Sequence, residues 1–354
     1  MSAAHPRLLS VGTANPPDRY TQAEVLDRFR VVNPGVRRVF LSPHVQTRHL
    51  YLPEPDAEGR PNEAQGALLR KHRKGALELG ALAVERALAP LGLRPADVGY
   101  LCCVSSTGFM LPGISAMLCK HLGFLPSTHR LDVVGMGCNA GLNGLNPVVQ
   151  WAATHPGRPA LMVCAEINSA LYVYDDSMAS GVVNSLFGDG CAAVVVAAGV
   201  EGPSGRPAAP AVLDFESHLM PEAWGAMRYE WEESHGKFSF YLDRDVPYVL
   251  GVNAHLPVGR LLGRHGLKRR DVQHWLIHSG GRKVIDAIKY TVGITEHDVR
   301  HTVGVLRDMG NLGSGSFLFS LERLLREGVA APGDRCVMMT MGPGSTIETA
   351  LLQF

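Results

Sequence analysis

Residues 131–145 read LDVVGMGCNAGLNGL. The apolar run 131–134 predicts a strand. It breaks at Gly135 and Gly137, and helical spacing of apolar residues resumes after Cys138. A cysteine at a strand-to-helix turn meets the unpaired N–H groups and the positive end of the helix dipole, which favour thiolate over thiol. Cys138 is therefore a candidate nucleophile near neutral pH. Free cysteines are often simply buried, so it needs partners elsewhere before it counts as chemistry.

Outward from this stretch the same unit recurs. Towards the N-terminus, 8–11 predicts a strand ending at Gly12-Thr13-Ala14-Asn15-Pro16-Pro17, and Thr21 predicts the N-cap of a helix to about Phe29. Residues 64–91 carry helical periodicity, with Ala76, Leu79, Leu82 and Ala83 on one stripe. The strand 100–104 runs into 105–113, a loop unusually apolar for its position, which either tucks under its own core or meets a second subunit. Beyond Cys138 come a strand at 159–164, a helix at 180–187 and the strand-like CAAVVVAA after Gly188-Asp189-Gly190. Residues 199–210 are rich in Gly and Pro and form the best internal boundary. After it lie a strand at 274–277, the turn His278-Ser279-Gly280-Gly281, a helix from Arg282 to about Tyr290, the Gly-rich turn 310–315 with a helix behind it, and a strand at 336–341 running into Gly342-Pro343-Gly344-Ser345. The expected organisation is layered α/β in two similar halves, 1–205 and 206–354.

Composition narrows the function. A net charge of +1 offers no basic excess for nucleic acid, and nowhere do 18 uncharged apolar residues run together to span a membrane. The N-terminus lacks the features of a signal peptide, so the expected location is the cytoplasm. Seven cysteines, an odd number with no CxxC pair, fit neither a disulfide framework nor a zinc site. The irregular segment 31–63 carries Arg37, Arg38, Arg48 and His49, which read either as a solvated loop or as a seat for the phosphates of a large anionic substrate.

Two polar residues sit at turns like that of Cys138: His278 after HWLI and Asn311 after DMG. An imidazole beside a thiolate forms an ion pair with it, and an Asn amide adds a second donor to the same oxyanion. His274 competes with His278, and Asn311 alone reads as a turn former. The order Cys, His, Asn also occurs in papain-like proteases, but their local signature around the cysteine is absent.

Taken together, GTANPP, MGCNAGLNGL, LFGDG, HSGG, DMGN and GPGSTIE, in this order over nearly the whole chain, resemble the type III polyketide synthases, the chalcone synthase family with the thiolase-like layered αβαβα fold. The resemblance implies that Cys138 holds the acyl chain and that His278 and Asn311 form the oxyanion site. It implies gatekeeping aromatics at Phe187 and Phe240, cavity residues at Ser106, Thr107, Asn168 and Leu171, and CoA contacts at Arg38, Lys283, Gly280 and Gly281. Leu111 matches a position that reaches into the partner subunit, which implies a homodimer. Trp231 and Phe238 would add bulk near the cavity, which suits a small, all-malonyl chain. The implied substrate is malonyl-CoA, with no metal or organic cofactor; four units give a C8 chain that closes carbon to carbon and leaves as 3,5-dihydroxyphenylacetyl-CoA. Other starters or products (alkylresorcinol, tetrahydroxynaphthalene), a ketoacyl-carrier-protein synthase and a catalytically dead scaffold of the same fold stand as alternatives. Whether accessory pathway enzymes finish aromatisation stays open.

Overall fold

The computed structural model describes residues 5–57, 61, 63–200 and 209–354. The chain opens with β1 (Arg7–Ala14) and the short pair β2 (Arg19–Thr21) and β3 (Thr47–His49), between which lie α1 (Gln22–Phe29) and α2 (Pro34–Phe40). Thr21 and Glu24 cap α1 reciprocally: the Thr21 hydroxyl accepts from Glu24 N–H at 3.2 Å, and the Glu24 carboxylate accepts from Thr21 N–H at 2.7 Å. Such a cap is worth about 1 kcal/mol. Next come α3 (Gln65–Leu88), β4 (Tyr100–Val104), α4 (Ile114–Leu122), β5 (His129–Val133), α5 (Ala140–Thr154), β6 (Ala160–Glu166), α6 (Met178–Leu186) and β7 (Gly190–Ala197). The second half holds β8 (Ala211–Leu219), a hairpin of β9 (Met227–Glu232) and β10 (Lys237–Leu242), α7 (Val246–Asn253), α8 (His255–Arg264), β11 (His274–Ile277), α9 (Arg282–Val292), α10 (Arg300–Met309), α11 (Ser316–Glu327), β12 (Arg335–Gly342) and β13 (Thr346–Gln353).

The long strands form one sheet in the order β11-β12-β13-β8-β1-β7-β6-β4-β5. Its two sides follow the same plan. From β1 outward the pairings are antiparallel to β7, antiparallel to β6, then parallel to β4 and β5. From β8 outward they are antiparallel to β13, antiparallel to β12, then parallel to β11. The halves join where β1 meets β8, at Arg7 opposite Ala211. The expected boundary between 205 and 206 lies within 201–208, outside the described residues.

Strand alternation builds the layers. Cys102 and Val104 face one core with α5 and α11, while Leu101 and Cys103 face another with α3. On the other side Cys336 and Met338 face the α5–α11 core, and Val337 and Met339 face α7, α8 and α9. Helices thus cover both outer faces, and α5 and α11 fill the middle: the five αβαβα layers. The near-continuous apolar strands follow from burial on both faces. All seven cysteines are free thiols, five of them buried in the strands. Among the described residues no helix is long and apolar enough to cross a membrane, and no group of His, Cys, Asp and Glu is placed to hold a metal.

Candidate active site

Three turns meet at the N-terminal ends of the middle helices. Gly135 and Gly137 take φ of 79° and 67°, a left-handed region that glycine enters without cost, and deliver Cys138 to the turn that starts α5. A Cβ on Gly137 would stand 2.3 Å from Pro343 Cδ, so the Gly342-Pro343-Gly344 turn packs directly on the cysteine's backbone. Asn311 follows α10, where its N–H donates to Leu186 O at 2.8 Å and its carbonyl accepts from Gly188 N–H at 3.0 Å. This backbone bridge sets Phe187 opposite Asn311. His278 leaves β11 with its N–H on Met339 O at 2.8 Å.

Cys138, Phe187, Met227 and Phe240 line two cavities at once and form the neck between them. Phe187 and Phe240 meet edge to face there, with ring centroids 5.7 Å apart. The inner cavity, about 250 Å³, is walled by Ser106, Thr107, Asn168, Leu171, Glu166 and Tyr229. The outer one, about 310 Å³, is walled by His278, Asn311, Gly280, Gly281, Lys283 and Arg244. Lys283 and Arg244 are exposed, which makes its mouth cationic.

The amide of Asn311 is oriented by its neighbour: Oδ1 accepts from Gly313 N–H at 2.9 Å, leaving Nδ2 as a donor to the site. Its hydrogen bond to Cys138 favours the thiolate. Burial and then the carboxyl of Glu166 oppose it and push the Cys138 thiol up to about 12. A rise from 9 to about 12 is on the order of 4 kcal/mol, whereas a helix N-terminus returns at most ~2 kcal/mol. Burial likewise pushes the His278 imidazole down to about 3. Burial thus acts against both members of the ion pair expected from the sequence, while the Asn311 donor acts for the thiolate. Burial also raises Glu166 to about 7, against hydrogen bonds from Ser314 Oγ at 2.5 Å and Ser106 N–H at 3.0 Å.

Not every expected residue reaches the site. Arg38 is exposed on α2 and lines neither cavity. Arg48 is fully buried and serves no phosphate; it donates to Gln22 Oε1, Tyr172 OH, Asn184 O and Phe187 O, so it holds the Phe187 backbone instead. Trp231 and Phe238 pair with each other across the hairpin, partly exposed and beyond the cavity wall; one step along, Tyr229 opposite Phe240 takes the place they were expected to fill. Leu111 is 93% exposed and touches neither cavity of its own chain. Glu166, Tyr229, Ser314 and Ser316 were not anticipated. Only Glu166 carried a local signal, as the charged last residue of the buried run ALMVCAE.

A cysteine, an imidazole and an amide converging at the middle helices of a five-layer αβαβα fold define a thiolase-fold condensing enzyme, an acyltransferase that joins acyl units. The chain belongs to the chalcone and stilbene synthases: their N-terminal domain matches residues 2–200 and their C-terminal domain residues 215–354. It is 53% identical to a 3,5-dihydroxyphenylacetyl-CoA synthase of Streptomyces toyocaensis, over 99% of this chain and 90% of that protein. It is 51% identical to one of Amycolatopsis balhimycina, over 98% and 93%. The crystal structure of 1,3,6,8-tetrahydroxynaphthalene synthase from Streptomyces coelicolor A3(2), a bacterial type III polyketide synthase, superposes with a TM-score of 0.89 at 27% identity, covering 98% of this chain and 99% of that one.

Proposed function

We propose that the enzyme condenses four malonyl-CoA units on Cys138 and releases 3,5-dihydroxyphenylacetyl-CoA. The observation that carries this is the likeness to the two synthases of that name over nearly the whole chain. The inner cavity supports it: about 250 Å³ lies below the usual 300–1,000 Å³ of ligand pockets and suits a short chain.

In this reading the Cys138 thiol passes its proton to His278 Nε2 as the sulfur attacks a malonyl thioester, CoA leaves as its thiol, and the bound malonyl group loses CO2 to become the two-carbon starter. Further malonyl-CoA units enter through the outer cavity, where Lys283 and Arg244 suit the CoA phosphates. Against the Phe187–Phe240 neck a malonyl carboxylate loses its hydration, which favours neutral CO2. The electrons left behind become an enolate on the thioester oxygen, held by His278 Nε2 and Asn311 Nδ2. One such donor is worth about 3 kcal/mol. The enolate carbon then attacks the Cys138 thioester, the C–S bond breaks to free the Cys138 sulfur, and the lengthened chain passes from CoA back to that sulfur, CoA leaving, before the next unit adds. Every step is routed through the chain's own residues and calls on no cofactor.

The reading includes a cytoplasmic homodimer. The seven free thiols suit a reducing compartment, and the exposed Phe109 and Leu111 suit a contact between two copies. Incubation with malonyl-CoA as sole substrate tests the function by product mass. The expected product is the C8 aromatic thioester; tetrahydroxynaphthalene, or turnover only after a fatty acyl-CoA is added, would replace this reading by another type III synthase.

A further inference from the structure

Each carbonyl from Asn184 to Phe187, the last turn of α6 and its cap, is met by a donor from elsewhere in the chain. Asn184 O accepts from Arg48 Nη1 at 2.5 Å and Ser185 O from Gln22 Nε2 at 2.8 Å. Leu186 O accepts from the Asn311 N–H at 2.8 Å, and Phe187 O from Arg48 Nη1 at 2.8 Å and Tyr172 OH at 2.5 Å. These carbonyls are the orphan acceptors and the negative end of the helix dipole, where a cation is favoured. Arg48 is that cation, fully buried and delivered by β3. Its Nε and Nη2 both donate to Gln22 Oε1, at 3.1 and 2.6 Å, so it also orients the amide that meets Ser185 O.

The stem of Arg48 lies against the residue before Asn311. A Cβ on Gly310 would stand 3.0 Å from Arg48 Cδ and 2.5 Å from Leu186 O. The same strand grips the end of α10: Thr47 Oγ1 donates to Asp308 O at 2.8 Å and the Gln46 N–H to Arg307 O at 2.7 Å. We infer that Arg48 is a positioning residue that holds Phe187 of the neck and the Asn311 amide as one unit, and so supports decarboxylation through Asn311. Its head fixes the carbonyl of Phe187, its stem backs Gly310, and the backbone bridge between Phe187 and Asn311 joins the two. Lysine lacks the planar fork that reaches several acceptors at once. An apolar side chain would take the Arg48 donor from both Asn184 O and Phe187 O, and a buried acceptor left unmet is costly.

The inference rests on the decarboxylation proposed above, and a double-mutant cycle tests it. Arg48→Met keeps a stem without donors; it is expected to lower CO2 release from saturating malonyl-CoA at least about tenfold, towards the ~10²–10³-fold cost of a lost oxyanion donor. In an Asn311→Ala background the same change is expected to cost no more than about twofold, because a residue acting through Asn311 then has nothing left to position. Arg48→Lys is expected to fall between wild type and Arg48→Met, with the same insensitivity in the second background, and it carries the test if the Met variant does not fold. Undiminished release, or the same loss in both backgrounds, overturns the inference. A second readout needs no turnover. The Asn311 hydrogen bond favours the Cys138 thiolate, so Arg48→Met is expected to move iodoacetamide alkylation of Cys138 to higher pH, as Asn311→Ala does; a shift in Asn311→Ala alone overturns the inference. Wild-type enzyme that releases no CO2 at all would sink the decarboxylation reading and leave the alkylation comparison to decide the role of Arg48.

Discussion

Glu166 and Asn311 act on the Cys138 thiol in opposite directions, the carboxylate holding the proton on and the amide helping it off. Glu166 is itself raised to about 7, so below that pH it is neutral and spares the thiol; above it the carboxylate ionises and makes the thiolate harder to form. In Glu166→Gln the alkylation-versus-pH profile of Cys138 is therefore expected to move to lower pH, most visibly above pH 7. An unmoved profile would mean that the carboxyl does not reach the sulfur. That Cys138, His278 and Asn311 sit at comparable turns was legible in the sequence, because each lies beside glycines at the end of a strand or helix. Ser316 was not: no local pattern announces that a serine opening one helix will meet an imidazole 38 residues earlier.

At the scale of elements, close backbone contact replaces side-chain packing where the turns converge. A Cβ on Gly141 would stand 2.2 Å from Ser314 O, and one on Gly188 2.2 Å from Met309 O. Gly137 adds a left-handed φ to its contact with Pro343. Gly137→Ala is expected to cost about 1–2 kcal/mol for that backbone region and about 1–3 kcal/mol for overpacking, measured as a lower denaturation midpoint; an unchanged midpoint would show the turn free to shift. The strands and most helices could be read from apolar runs and caps, since both depend on near neighbours. The hairpin of β9 and β10 could not. Its alternating polar and aromatic residues do not reveal which cross-strand pair faces the cavity, and the register that selects Tyr229 and Phe240 over Trp231 and Phe238 is set by contacts across the fold.

Across the whole molecule, two half-sheets of the same pairing plan enclose α5 and α11, so Cys138 of one half lines a cavity with His278 and Asn311 of the other. The repeat was visible in the sequence as a recurring style of strand and glycine turn, while the edge-to-edge junction of β1 with β8 depends on long-range pairing. The apolar loop carrying Phe109 and Leu111 leaves large side chains in water. Leu111→Asp is expected to lower the dimer fraction in sedimentation equilibrium; an unchanged dimer would place the interface elsewhere. Growth of the acyl chain on one cysteine of seven can be measured directly: quench the enzyme during turnover of malonyl-CoA, digest it, and weigh the cysteine peptides. Ketide adducts of increasing length are expected on the Cys138 peptide and on no other. Product formation with Cys138 unmodified, or adducts on a different cysteine, would contradict it.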